Sequence, residues 1–216
     1  MKTVTFTYVR HGRTEFNRDH VIQGGRVDSP LDPAGLPSIH ATAAALADLP
    51  FARCYASPLG RVLQTAAILV DGRDLPVRTL DDLREFDFGD IDGLAYPGRR
   101  ITFARCFVRQ DFSPVHGERG EQVRARVRRA FATMYDEADD GDQVLVVGHG
   151  AFFRYVLLEY GEGSALARKL RSETIRTHNA SIATVVGSDG TFRLTQLPLT
   201  AREYLAKPRT PRRPLA

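Results

Sequence analysis

Residues 4–17 read VTFTYVRHGRTEFN. A run of strand-forming residues gives out at Val9, and an arginine, a histidine and a glycine follow at once. The same order returns at residues 144–154, VLVVGHGAFFR: an apolar strand, a His-Gly pair, then a helical pattern. In open α/β sheets, ligands bind outside the carboxyl ends of the strands. Two His-Gly pairs in that position predict that His11 and His149 share one edge of one sheet. A glycine after each histidine lets the chain turn sharply and lets a ligand approach the backbone.

Outward from these two stretches, strands and helices alternate. Residues 3–9 read as a buried strand, followed by a loop rich in Gly, Asp and Pro. An alanine-rich helix runs from Gly35 to Asp48, with Pro37 tolerated in its first turn. FARCYAS (51–57) is a strand. Ser57-Pro58 then reads as an N-cap with proline at the first helical position, and LGRVLQTAAILV continues the helix. A short strand falls within 75–80, and residues 119–138 form a long, charge-rich helix. QVLVV (143–147) is a strand and AFFRYVLLEY the helix after it. Strands near 180–186 and 191–197 close the domain around the turn 187–190. The expected fold is a three-layer α/β/α sandwich with a mostly parallel central sheet, helices on both faces and a short helical lid insertion. One domain covers residues 1–200, with the lid at 94–116. A basic, proline-rich tail at 201–216 is expected to be disordered.

Composition narrows the function. The chain has 216 residues, 43% hydrophobic and 26% charged, enough to bury a real core. A net charge of +4 is too small to argue for nucleic acid, and no aromatic–basic stripe supports it. Of the 30 basic residues only Lys2, Lys169 and Lys207 are lysines, and arginine suits bidentate recognition of phosphate or carboxylate. Cys54 and Cys106 are far apart and make no CxxC pair, so a reduced, cytoplasmic setting is expected. MKTVTFTYVRHG does not read as a signal peptide, and no stretch approaches a bilayer span.

A third element joins the two histidines. Arg61 lies in the first turn of the helix after a strand, where free N–H groups and the helix dipole already attract anions. Arg10, Arg61 and that helix start surround His11 and His149 as an anion pocket. The familiar phosphate machines are missing: there is no GxxxxGK[ST] loop, and Gly60 and Phe112 stand six positions after the two cysteines. The acidic run DDLREFDFGDIDG fails as a calcium loop, because Phe88 and Arg99 take the first and last ligand positions. No histidine spacing suggests zinc. What remains is histidine as nucleophile: a neutral imidazole attacks phosphorus, and arginines with a second, protonated histidine stabilise the charge.

These residues resemble the histidine phosphatase superfamily, which includes the cofactor-dependent phosphoglycerate mutases and related phosphatases. The resemblance runs from Val4 to about Val186 through seven ordered motifs. They are Arg10-His11-Gly12 with Thr14 and Asn17; Gln23-Gly24 with Asp28-Ser29-Pro30-Leu31; Ser57-Pro58 with Arg61 and Gln64-Thr65-Ala66; Leu83-Arg84-Glu85 with Phe88-Gly89 and Gly93; Gly117-Glu118 with Arg126; Gly148-His149-Gly150 with Arg154; and Asn179-Ala180-Ser181-Ile182.

The resemblance implies that His11 accepts the phosphoryl group, that Arg10, Arg61 and His149 complete the phosphate pocket, and that Glu85 is the proton donor. Asp81, Asp82, Asp87, Asp90 and Asp92 are nearby competitors for that last role. Asn17, Gln23, Gly24 and Gly150 are secondary candidates for contact with phosphate or substrate. The chemistry needs no metal and no cofactor. The expected partner is a small phosphorylated metabolite, with neither nucleic acid nor membrane, and a homodimer is compatible because some relatives dimerise.

Arg13, Gly25, Ile91-Asp92 (near the pocket rim) and Arg119 depart from the family pattern and bear on substrate shape, so no relative's specificity carries over. A phosphatase is favoured over a mutase, whose insertion is longer and holds a second acidic group. A non-catalytic phospholigand-binding protein ranks last, because every catalytic position is filled. Arg99, Arg100, Arg105 and Arg109 in the insertion read equally well as a solvated helix face or as readers of a second anion.

Overall fold

The computed structural model describes residues 1–207. Its sheet contains β1 (Thr3–Arg10), β2 (Phe51–Ala56), β3 (Val77–Thr79), β4 (Gln143–Gly148), β5 (Ile182–Ser188) and β6 (Thr191–Leu199), in the order β3-β2-β4-β1-β5-β6. Strands β1 to β4 pair in parallel, and β5 and β6 add antiparallel pairings at one side. The sheet is therefore mixed, with a parallel majority. Around it lie α1 (Glu15–Arg18), α2 (Leu36–Ala45), α3 (Gly60–Leu69), α4 (Arg100–Arg109), α5 (Gly120–Glu137), α6 (Gly150–Tyr160), α7 (Ala165–Thr174) and α8 (Ala201–Ala206).

Alternation along the strands builds two cores. Phe6 and Tyr8 of β1, with Val144 and Val146 of β4, face Val127, Phe131, Phe152 and Val156 on α5 and α6. Val9, Leu145 and Val147 point the other way, onto Ile39, Val62 and Ala66 of α2 and α3. The strands are thus apolar on both sides, as a sheet between two helical layers requires. This is the expected three-layer sandwich.

Register places the site. Arg10 pairs with Gly148 and Ala56 with Val147, so β1, β2 and β4 end together. His11, Ser57 and His149 are the next residues along each strand. Residues 94–116 carry α4 and contact the rest of the fold through Arg154, among others; the Arg154 guanidinium lies 4.6 Å from the Phe107 ring centroid.

Two expectations change. Ala201–Ala206 is a helix, not the start of a disordered tail. Thr200 caps it by accepting from Glu203 N–H, and Ala201 and Tyr204 pack on the α2–α3 core. The remainder of that tail, 208–216, lies outside the described residues. Ser57-Pro58 does not start α3 either: its N-cap is Leu59, and the Ser57 side chain has another partner in the site.

Candidate active site

The loop that carries His11 leaves β1 at Arg10, and its backbone is held by the carboxyl end of β4: His11 N–H donates to the Gly148 carbonyl at 2.9 Å. The His11 ring is 3% exposed. Its Nδ1 lies 2.8 Å from the Gly12 carbonyl oxygen, which only accepts, so Nδ1 carries the proton and Nε2 keeps its lone pair. Burial pushes the His11 pKa well below 6.5, and the Arg61 and Arg10 charges push it further.

His149 is fully buried, its ring centroid 5.3 Å from that of His11. Arg61 donates through a terminal nitrogen to His149 Nδ1 at 3.2 Å, and a guanidinium has no acceptor. The His149 proton therefore sits on Nε2, which donates to Ser57 Oγ at 2.8 Å. Burial, then Arg61, His11 and Arg10, hold the His149 pKa well below 6.5. Burial and the two arginines push both imidazoles toward the neutral form, and the Arg61–Nδ1 contact does so for His149, whereas sequence analysis expects the second histidine to be protonated when it stabilises phosphoryl charge. Tyr8 fixes the His149 backbone, its hydroxyl donating to the carbonyl at 2.9 Å and accepting from the N–H at 2.6 Å.

Arg61 is 0% exposed, unusual for a guanidinium and tolerable only with partners. It donates to Asp28 Oδ1 at 2.8 Å and to the Val27 and Gly24 carbonyls at 3.0 Å each. Arg10 donates to the Thr177 carbonyl. The Nε atoms of both arginines are buried and have no hydrogen-bond partner. Two desolvated cationic donors without acceptors, beside two histidines, mark a place for an anion.

Glu85 is 6% exposed. Its Oε1 accepts from Phe86 N–H at 2.9 Å and Phe152 N–H at 2.7 Å, and Oε2 from Ala151 N–H at 3.0 Å. The carboxyl thus caps α6 one residue beyond the His149-Gly150 turn, and its charge reaches both Arg10 and Tyr8. A second pair positions it. Arg126 binds Glu118 through two parallel bonds of 2.9 and 2.8 Å, and also donates to the Asp82 and Arg84 carbonyls. Glu118 in turn accepts from Asp87 N–H.

The competitors for the acid role are engaged elsewhere. Asp81 pairs with Arg84, Asp82 with Arg129, Asp87 and Asp90 with Arg26. Burial pushes the Asp92 carboxyl up to about 6, but it is spent on the loop, accepting from Gly24 N–H at 2.6 Å and Arg26 N–H at 3.2 Å.

Gly24 is scaffolding as well: its carbonyl receives Arg61, and a Cβ there would lie 2.5 Å from Phe86 O. A Cβ on Gly150 would come within 3.0 Å of Arg10 Nε, so glycine keeps that donor's surroundings open. Asn17 Oδ1 accepts from Asn179, whose amide also donates to the His11 and Gly12 carbonyls. Gln23 bridges Thr14 and Ser29. All nine sequence candidates lie in or against this pocket, but Gln23 and Gly24 act chiefly as its frame. Ser57, Asp28 and Tyr8 are additions in role. Ser57 and Asp28 fall inside the ordered motifs, whereas nothing local marks Tyr8.

Residues 6–200 match the histidine phosphatase superfamily, branch 1. The chain belongs to that family. It is 33% identical to fructose-2,6-bisphosphatase TIGAR B of Danio rerio, with 71% of this chain and 73% of the relative covered. It is 32% identical to the adenosylcobalamin/alpha-ribazole phosphatase of Salmonella typhimurium, over 65% and 71% of the two chains. Among solved structures it superposes on a mycobacterial glucosyl-3-phosphoglycerate phosphatase with a TM-score of 0.75 at 25% identity, covering 91% of this chain and 99% of the other. The chain is a histidine-phosphatase-type phosphoric monoester hydrolase.

Among the described residues, no helix is long and apolar enough to cross a membrane.

Proposed function

We propose that this chain hydrolyses small phosphomonoesters through a phosphohistidine on His11, without a metal. The observation that carries it is the pair of buried, unpartnered Nε donors of Arg10 and Arg61 beside a neutral imidazole whose Nε2 lone pair is free.

The His11 Nε2 lone pair attacks phosphorus, and the bond from phosphorus to the ester oxygen breaks. A protonated Glu85 gives its proton to the departing alkoxide, which is otherwise a poor leaving group. Arg10 and Arg61 hold the equatorial oxygens as charge spreads over them. Water then attacks phosphorus, its proton passes to the Glu85 carboxylate, and the N–P bond breaks to release inorganic phosphate. His11 returns to its Nδ1–H form. His149 stays the Nε2–H tautomer, held by Arg61 and Ser57, and supports the pocket as a neutral group.

The direct test is a rapid quench under non-acidic conditions with a ³²P-labelled phosphomonoester. Label is expected on His11, and His11→Ala should lose both label and turnover. Normal turnover in that variant would overturn the mechanism.

A further inference from the structure

The chemistry above leaves the alcohol unnamed. A cavity of about 240 Å³ lies against the nucleophile loop. Its apolar wall is Phe16, Val21, Ile22, Phe88, Tyr96 and Phe103. Phe88 belongs to the segment that carries Glu85, while Tyr96 and Phe103 come from the 94–116 insertion. The rings interlock: Phe103 meets Phe88 edge-on at 5.1 Å between centroids and Tyr96 at 5.6 Å. Its polar residues Asn17 and Gln23 link it to the frame of the phosphate pocket. Asn17 lines the cavity and shares Asn179 with the His11 and Gly12 carbonyls. Gln23 lines it too, one residue before the Gly24 carbonyl that receives Arg61.

The wall selects by what it lacks. No lysine or arginine lines it. Arg99, Arg100, Arg105 and Arg109 are all exposed and none borders the cavity, so the reading of them as a second-anion site finds no support in their placement. A second phosphate or carboxylate drawn in among these rings would lose its hydration without gaining a cation. Sugar hydroxyls fare little better. Each end of the Gln23 amide already holds one partner, Thr14 or Ser29, and Asn17 Oδ1 already accepts from Thr14 N–H and Asn179, so few polar sites are left for hydroxyls. Asn17 retains its NH₂ group, enough for one polar atom near the ester. His20 stands exposed at the rim. The volume lies below the ~300–1,000 Å³ usual for drug-sized ligands and suits one or two rings.

We propose that the leaving group is a flat, apolar alcohol, aromatic or similarly hydrophobic, carrying a single phosphate. This rests on the phosphatase reading above.

Three esters of primary alcohols with similar leaving tendencies test it: 3-phenylpropyl, 3-hydroxypropyl and 3-carboxypropyl phosphate. The phenyl ester should show kcat/KM at least about tenfold above the hydroxyl ester, with the carboxyl ester lowest. In Tyr96→Ser the phenyl-to-hydroxyl ratio should collapse several-fold, mainly through KM, and Tyr96→Phe should restore it. Equal kcat/KM for all three, or preference for the carboxyl ester, overturns the pocket assignment and leaves the phosphatase reading intact. Hydrolysis of none of them overturns the phosphatase reading instead. Calorimetry then decides the pocket alone: 4-phenylbutylphosphonate binding about tenfold tighter than methylphosphonate upholds it, and equal binding overturns it.

Discussion

Replacing Glu85 with glutamine separates its observed capping of α6 from its proposed role as proton donor. The carboxyl accepts three backbone N–H groups, and the proposed mechanism makes it the proton donor. With the glutamine oxygen in the Oε1 place, the bonds from Phe86 and Phe152 survive. The amide nitrogen then meets Ala151 N–H across a gap that is 3.0 Å in the native chain, donor against donor. One buried donor left unpaired costs about 1–3 kcal/mol. Loss of negative charge at the start of α6 adds about 0.3–1 kcal/mol. At about 2–4 °C per kcal/mol for a domain of this size, Tm should fall by roughly 3–15 °C. The variant therefore needs scanning calorimetry first and kinetics at a temperature where it is folded. There the loss should depend on the leaving group. A primary alkyl phosphate should lose about 10²–10⁴-fold in kcat, the range for a general acid. p-Nitrophenyl phosphate should lose less than about tenfold, because its phenolate departs unprotonated. Equal losses on both substrates by a folded variant would refute the acid role and leave Glu85 as a cap on α6.

Acid should destabilise the fold through the buried imidazoles. His11 and His149 sit well below 6.5 when folded, so the unfolded chain takes up protons first and stability falls as pH drops through about 6.5. Asp92 opposes this between its ordinary 3.8 and about 6, where the folded chain holds the extra proton, so a net loss of about 1.4 kcal/mol per pH unit per unbalanced proton is expected in urea titrations. An NMR titration placing either imidazole near 6.5 in the unliganded protein would contradict the neutral assignment. Activity should survive exhaustive dialysis against EDTA, and activity that returns only with a divalent ion would refute arginine and histidine as sufficient. Arg99→Ala with Arg100→Ala should change KM for a doubly anionic ester less than about twofold, whereas a large rise would return those arginines to substrate binding.

Much of this was legible because it is periodic or punctuated. Apolar runs ending in His-Gly located β1, β4 and the edge where both histidines meet. Two of the failures turn on a distant partner. Ser57-Pro58 is a sound local cap signal, yet the Ser57 hydroxyl faces a histidine 92 residues away, and α3 starts later at Gly60. The protonation of His149 depends on burial and on Arg61, and neither is written in GHG. The helix α7 went unread although Ser164 caps it through Ala167 N–H; its Leu170 is 55% exposed, so the apolar stripe is thin. Tail composition suggested disorder at 201–206, but the Thr200–Glu203 capping box and the contacts of Tyr204 outweigh it there. The arginines of residues 94–116 were ambiguous because composition shows charge and not direction.

A cation beside an imidazole at a strand end has a double consequence. Arg10 and Arg61 attract a phosphate dianion, and the same charges, with burial, hold His11 neutral. A protonated His11 would attract the anion more strongly and could not attack it. A neutral His11 without the arginines would be nucleophilic but would leave the equatorial oxygens without a partner. Lysine would supply the charge at either position but not the geometry. Arg61 spends its terminal nitrogens on Asp28, Val27, Gly24 and His149, and still keeps Nε unpaired. Only a planar group with five donors can be anchored on several sides and offer one more. The same anchoring sets the His149 tautomer, because Arg61 occupies Nδ1 and sends the proton toward Ser57. Phosphate affinity, nucleophile protonation and the tautomer of the second histidine are thus tied to one buried guanidinium. Changes at Arg61 should move all three together, whereas changes at Ser57 should reach only the last.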